Sequence, residues 1–272
     1  FFFKHSAYIA LAIVILIIFS FLNQKILTKF SLILFLVAFL SLLLVPFLGI
    51  EVKGSKRWLD LMFLPRFQPV EIIKPFFIVT LSLMLTIQNR RLYFKYFLST
   101  LFILPILMLL VYQPDIGQTL LIAMVWLALI FVSGINIFVF FIFFLFVSIT
   151  ISYLVLFVPK FEYIKIRLFA FLDSSSGNNY QAEKASDAII NGGFFGKGIG
   201  EGTLNSRVPE AHTDYIVSVI SEEFGAIIVI GILFLYLIFS YRVIRKINFL
   251  NEDLSKLILT GCISLILIQT FI

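Results

Sequence analysis

Charge is scarce in this chain. Only 13% of its 272 residues are Asp, Glu, Lys or Arg, against 61% hydrophobic residues. With a mean hydropathy of +1.09, there is too little polar surface to coat a soluble globule, and an integral membrane protein is implied. A single cysteine, Cys262, excludes an intramolecular disulfide, and its place in an apolar run makes it a packing or lipid-facing residue. Two-residue alternation is missing as well. The apolar runs are continuous over about 17 to 20 residues, which excludes a β-barrel and calls for membrane-spanning helices. The expected fold class is therefore all-α, a polytopic helix bundle. An initial methionine is also absent, and the last residues lie inside an apolar run, so a fragment lacking a helix at one or both ends is expected and no signal peptide can be judged.

Eight runs qualify as spans: Ala7 to Leu22, Phe30 to Leu48, Glu71 to Ile87, Tyr96 to Tyr112, Gly117 to Val132, Ile137 to Phe157, Asp214 to Tyr241 and Leu254 to Ile272. They form a single transmembrane domain, residues 1–272, with one long loop, Val158 to Thr213. If the spans alternate, Asn23 to Lys29, Gln88 to Lys95, Ser133 to Asn136 and Arg242 to Asp253 share one side, and their lysines and arginines mark it as cytoplasmic. The segment Glu51 to Lys74 then lies outside although it carries Lys53, Lys56, Arg57, Arg66 and Lys74. A basic segment kept on the outer face reads as a surface for an anion such as a phosphate-bearing lipid headgroup, or as a solvated loop. Inside the long loop, Phe161, Ile164, Leu168 and Leu172 recur at helical spacing among charges, as in an interfacial amphipathic helix, and Asp173 to Asn179 reads as a flexible turn.

The acidic groups are concentrated where they are most costly. Val208 to Gly225 holds Glu210, His212, Asp214, Glu222 and Glu223 at the mouth and in the body of an apolar segment, where an ionised carboxylate costs roughly 2.5 to 3.5 kcal/mol. On one continuous helix Ser218 and Ser221 share a face with Asp214, and Glu222 lies about 12 Å deeper. Asp214 is then the candidate catalytic carboxylate, or else a helix N-cap. Glu210 and His212 read as loop-shaping neighbours or a weak two-ligand metal signal, and Glu222 and Glu223 as buried supports paired with bases or amides. Gln68-Pro-Val-Glu-Ile-Ile-Lys74 places Pro69 in a first helical turn and Glu71 and Lys74 at i, i+3. That pair is either a snorkelling ion pair or, with Arg57, a clamp for a pyrophosphate. Asp115, in Gln113-Pro-Asp-Ile-Gly117, puts a carboxylate at a helix break that can line a cavity. Gly192 to Gly202 lacks the spacing and hydroxyl of a P-loop, so it reads as a flexible loop with Lys197 an outlying phosphate candidate. Nothing points to a nucleic-acid partner.

Taken in order, Gly54-Ser-Lys-Arg-Trp58, Gln68 to Lys74, Gln113 to Gly117, Gly192 to Gly198, Pro209 to Ile216 and Glu222-Glu-Phe-Gly225 resemble the SEDS family (shape, elongation, division and sporulation). These are polytopic bacterial membrane proteins whose members polymerise peptidoglycan glycan strands. The family pattern has about ten helices, and the resemblance covers essentially the whole chain. Val70 and Tyr215 stand where serine and phenylalanine are common. Glu51 to Asp60 and Arg207 to Asp214 resemble the division members more than the elongation members. The resemblance implies lipid II as substrate, Asp214 as general base on the acceptor hydroxyl, and Arg57 and Lys74 stabilising the departing lipid pyrophosphate. Glu71 and Asp115 would line the cavity. No cofactor is required by the motifs; a divalent cation, Mg or Mn, could share the pyrophosphate, but the sequence holds no ligand cluster that establishes it. The implied partners are a class B penicillin-binding transpeptidase, other divisome membrane proteins and membrane lipid, at the division septum of the cytoplasmic (inner) membrane. A lipid II flippase, an elongation-type polymerase and a non-catalytic scaffold for the transpeptidase are the alternatives.

Overall fold

A computed structural model of the chain describes residues 2–52, 55–60, 65–87, 93–162, 165, 180–204, 208, 211 and 215–271. Helices dominate it: α1 (Phe2–Ser20), α2 (Gln24–Leu48), α3 (Pro69–Leu85), α4 (Phe94–Tyr112), α5 (Ile116–Val132), α6 (Ile137–Phe157), α7 (Tyr180–Gly192), α8 (Ile216–Phe224), α9 (Ala226–Phe249) and α10 (Asp253–Phe271). The all-α expectation holds, with the addition of a small antiparallel hairpin, β1 (Ile50–Val52) and β2 (Ser55–Trp58). Among the described residues, α2, α4, α6, α9 and α10 are long and apolar enough to cross a membrane, and His5–Ser20 and Ile116–Val132 are shorter apolar helices. The protein is thus a multi-pass membrane protein. Its residues group into two compact units, residues 1–143 with 250–272, and residues 144–249.

In the first unit α3 is the central element, packed against α2, α4, α5 and α10. Pro69 occupies its first turn, where a missing N–H is harmless. Val70, Ile73, Phe77, Ile78, Leu81 and Leu85 then recur at three- and four-residue spacing and are all buried. The Phe102 ring of α4 lies 4.9 Å from Phe35 of α2 and 5.9 Å from Phe77 of α3, so three helices meet at one aromatic contact. On α10, Gly261 permits a close approach: a Cβ there would overlap Ile78 of α3 and come 3.3 Å from Leu129 of α5.

In the second unit two expectations are corrected. Asp214 to Tyr241 is not one span, because Gly225, at φ +84°, ends α8 and α9 starts at Ala226. Apolarity continues across the break, so hydropathy alone does not register it, whereas the left-handed backbone at glycine does. Glu222 and Glu223 consequently belong to a nine-residue helix preceding the span α9, while the start of the expected span, Asp214, lies outside the described residues. The long loop also contains α7, whose Ala185 and Ala188 are buried against Val208, with Leu204, Ala211 and Tyr215 around them. Its helical stripe is made of alanines among charges, too weak a signal to separate from a hydrophilic loop. The expected interfacial helix lies outside the described residues apart from Phe161, Glu162 and Lys165, and the turn Asp173 to Asn179 lies wholly outside them.

The close approach at Gly261 has a direct consequence. Gly261→Val is expected to cost about 2 kcal/mol by overpacking, seen as a lowered thermal unfolding midpoint in detergent. Gly231→Val on α9, where an added Cβ meets nothing within 4 Å, should leave the midpoint nearly unchanged.

Candidate active site

Alternation along β2 sets the first group. Ser55 and Arg57 are partly buried while Lys56 and Trp58 are exposed, so Arg57 points inward and Lys56 faces out opposite Glu51. The Arg57 guanidinium donates to the carbonyl of Pro114, and its Nε lies 3.7 Å from Asp115 Oδ2. Asp115 is the N-cap of α5, accepting from the Gln118 backbone N–H at 3.4 Å. Its Oδ2 also accepts from the Gln68 side-chain amide at 3.2 Å. Gln68 is in turn the N-cap residue of α3. The starts of α3 and α5 are therefore tied together, and two helix N-termini, each carrying partial positive charge, stand beside a guanidinium. Burial pushes the Asp115 carboxyl above its ordinary range, with the adjacent Arg57 charge opposing only part of that rise.

The second pair sits one turn into α3. Lys74 Nζ lies 2.7 Å from Glu71 Oε2 and 3.5 Å from Gln269 Oε1 of α10. The lysine side chain is 3% exposed and the glutamate side chain 45%. Lys74 therefore does not snorkel: it lies on the buried stripe of α3, and the carboxylate is the half that reaches the surface. Glu71 Oε1 accepts from Gln118 Nε2 at 2.8 Å. Gln118 thus joins the Lys74–Glu71 pair to the Asp115 cap through its own backbone and side chain. Two polar atoms in this cluster, Arg57 Nε and Gln118 Oε1, are buried without a hydrogen-bond partner. They leave the cluster one unused donor and one unused acceptor.

Of the residues expected at the site, Arg57, Glu71, Lys74 and Asp115 come together in the first unit. Gln68, Gln118 and Gln269, which tie them together, were not singled out by sequence reasoning. The one signal available was an amide at or near the end of an apolar helix, where it has no role in lipid.

Lys197, Glu222 and Glu223 belong to the second unit. Glu222 is fully buried and its Oε1 accepts from the Asn191 side-chain amide and the Leu204 backbone N–H, each at 2.9 Å. Glu223 is partly buried and Lys197 is exposed. The glycine-rich segment is no flexible loop: Lys197 and Gly198 donate backbone N–H groups to the carbonyls of Glu222 and Glu223 at 2.8 and 3.0 Å, and Ala226 donates to Gly193 at 2.9 Å. A Cβ on Gly192, Gly196 or Gly225 would overlap backbone of the facing strand of chain. The glycines are there so that two backbones can touch, which closes the C-terminal end of α8. Asp214, His212 and Glu210 lie outside the described residues. Among the described residues no three His, Cys, Asp or Glu side chains gather as a metal site.

Removing Glu71 leaves a buried ammonium with only a distant amide. Because the carboxylate is half exposed, Glu71→Ala is expected to cost roughly 2 kcal/mol rather than the full penalty of a fully buried pair. Glu71→Ala/Lys74→Met should recover most of that loss in a thermal unfolding measurement; a double variant no more stable than the single would contradict the geometry.

Comparison with known proteins follows the same lines. The family model covering FtsW, RodA and SpoVE, described as "Cell cycle protein", matches residues 1–272. Curated relatives named "Probable peptidoglycan glycosyltransferase FtsW" include one from Caulobacter vibrioides, 29% identical over 93% of this chain and 64% of that protein. One from Coxiella burnetii is 32% identical over 90% and 67%, and one from Buchnera aphidicola subsp. Schizaphis graminum is 34% identical over 79% and 62%. The chain spans about two thirds of the length of these relatives. Among solved structures, one described as "Structural coordination of polymerization and crosslinking by a peptidoglycan synthase complex" matches with a TM-score of 0.78 at 24% identity, over 98% of this chain and 76% of that one. The crystal structure of Thermus thermophilus RodA matches with a TM-score of 0.66 at 24% identity, over 99% and 73%. At that identity the structures establish a shared fold, and the sequence model establishes the kinship: the chain belongs to the FtsW/RodA/SpoVE family of cell cycle proteins, the SEDS family that its motifs resemble.

Proposed function

We propose that this chain is the greater part of a peptidoglycan glycosyltransferase that polymerises lipid II at the outer face of the cytoplasmic membrane, in septal wall synthesis. The carrying observation is the cluster at the starts of α3 and α5, where Arg57 and buried Lys74 are held by Asp115, Glu71 and glutamine amides. A multi-pass membrane protein that holds two cations at one end of an otherwise apolar bundle is suited to an anion that is itself anchored in lipid. The names of the curated relatives supply the reaction class.

In the proposed step, the acceptor sugar hydroxyl loses its proton to Asp214 as its oxygen attacks the donor's anomeric carbon. The new glycosidic bond forms as the carbon–oxygen bond to the undecaprenyl pyrophosphate breaks, and the leaving group carries the electron pair away. Arg57 and Lys74 stabilise that developing charge, with the N-termini of α3 and α5 contributing partial positive charge. Glu71 and Asp115 hold the cations in place. A divalent cation, Mg or Mn, would act only as a counter-ion to the pyrophosphate, and no step of the reaction is routed through it. Lys197 is an outlying phosphate contact, and Glu210 and His212 shape the loop that carries Asp214. Glu222 and Glu223 support it. The proposed partners are a class B penicillin-binding transpeptidase and other divisome membrane proteins.

The test uses purified full-length protein with its transpeptidase partner and labelled lipid II. Wild type should form glycan polymer, and Asp214→Asn should lower the rate at least 100-fold while the protein still binds lipid II. Normal polymerisation by Asp214→Asn would remove the catalytic assignment. Movement of lipid II between leaflets without polymer would replace the whole reading with a transporter.

A further inference from the structure

A second polar feature lies at the opposite end of the first unit. Lys95, Ser133, Asp253 and Lys256 line a cavity of about 340 Å³, with Leu85 and Val132 among its apolar walls. It is formed where α3 and α5 end and where α4 and α10 begin. From Glu71 to Leu85 is fourteen residues of α3, about 21 Å along the helix axis, so the cavity and the Arg57–Asp115 cluster lie at opposite ends of the same helix. Three of the four connections that the distribution of positive charge assigns to the cytoplasmic side border this cavity. The fourth joins them through Gln24, whose amide donates to Glu252 and Ser255 at 3.1 Å each. The structure therefore gathers on one face the connections that the positive-inside rule groups together.

The chemistry of the cavity selects its ligand. Lys95 Nζ lies 3.4 Å from the Ser133 carbonyl and 5.0 Å from the centre of the Tyr96 ring. Lys256 Nζ lies 3.5 Å from Asp253 Oδ1, a carboxylate that is 82% exposed. These are long contacts for ammonium groups with three donors each. Two half-held cations thus face one exposed acid, leaving a net positive lining. The starts of α4 and α10 add the partial positive charge of helix N-termini. Apolar walls beside the cations suit a ligand that is charged at one end and greasy at the other, at the level where spans end and headgroups begin.

We propose that this cavity binds the phosphate of an anionic phospholipid headgroup in the leaflet opposite the Arg57–Asp115 cluster. The lipid ties the starts of α4 and α10 to the ends of α3 and α5, and so braces the helix that carries Glu71 and Lys74. A free phosphate ion shares the headgroup chemistry but would leave the apolar walls unused.

The experiment is lipid retention by the delipidated full-length protein, read by native mass spectrometry during titration with phosphatidylglycerol or phosphatidylcholine, with inorganic phosphate as competitor. Phosphatidylglycerol should be retained in preference to phosphatidylcholine. Lys95→Gln and Lys256→Gln should each weaken that retention about fivefold. Asp253→Asn, which removes an exposed acid from the first turn of α10, should strengthen it. Should a lysine variant fail to fold, the Asp253→Asn result still decides. Equal retention of the two lipids, indifference to all three substitutions, or loss of retention in millimolar inorganic phosphate would each overturn the proposal. The readout is lipid binding, so it stands or falls apart from glycan polymerisation.

Discussion

The Lys74 ammonium is a full charge on the buried stripe of α3, the central helix of the first unit. It lies 2.7 Å from Glu71 and on the same face as Val70, Phe77, Ile78 and Leu81. Such a charge persists only where opposite charge and hydrogen bonds replace the water it has lost. The arrangement around it follows from that requirement. Pro69 starts α3 one turn before the lysine, Gln118 fixes the second oxygen of Glu71, and the Asp115 cap that positions Gln118 also holds Gln68 and faces Arg57. The hairpin between α2 and α3 contributes by strand alternation, which turns Arg57 inward. Each part has an ordinary structural role as cap, turn or pair. Together they assemble two cations beside two helix N-termini at one end of the bundle.

The second unit solves a different problem with backbone instead of charge. Helix α8 must end against a neighbouring segment before the span α9 begins, and its last carbonyls need donors. Gly192 to Gly198 supplies them through the N–H groups of Lys197 and Gly198, and the glycines allow contact distances that a Cβ would prevent. Glu222, buried within this clasp, draws in Asn191 from the end of α7 and the backbone of Leu204. A segment rich in glycine and an acidic pair that looked expensive in a membrane are thus two halves of one local structure.

Much of this was legible beforehand, for identifiable reasons. Long apolar runs determine spans because lipid leaves backbone polar groups no partner but their own helix, and the i, i+3 spacing of Glu71 and Lys74 already allowed the pair, though not the burial of its lysine. Motif order carried the family. Three kinds of feature stayed hidden. Gly225 breaks a helix without interrupting apolarity, so one span was read where a short helix precedes another. The α7 stripe of alanines is too small to stand out in a hydrophilic stretch. Gln68, Gln118 and Gln269 matter through tertiary partners 47 residues or more away in sequence, and no local pattern announces such a role.

The central claim is that the Arg57–Asp115 pair serves the reaction and is more than a staple between β2 and the α4–α5 turn. The most direct measurement sets lipid II polymerisation against thermal stability for Arg57→Gln in the full-length protein with its partner. The account predicts that the rate falls at least tenfold, the order of a lost charge-assisted contact to a leaving pyrophosphate, while the unfolding midpoint moves by no more than a few degrees. An unchanged rate, or a rate that falls only in proportion to the folded fraction, would contradict it.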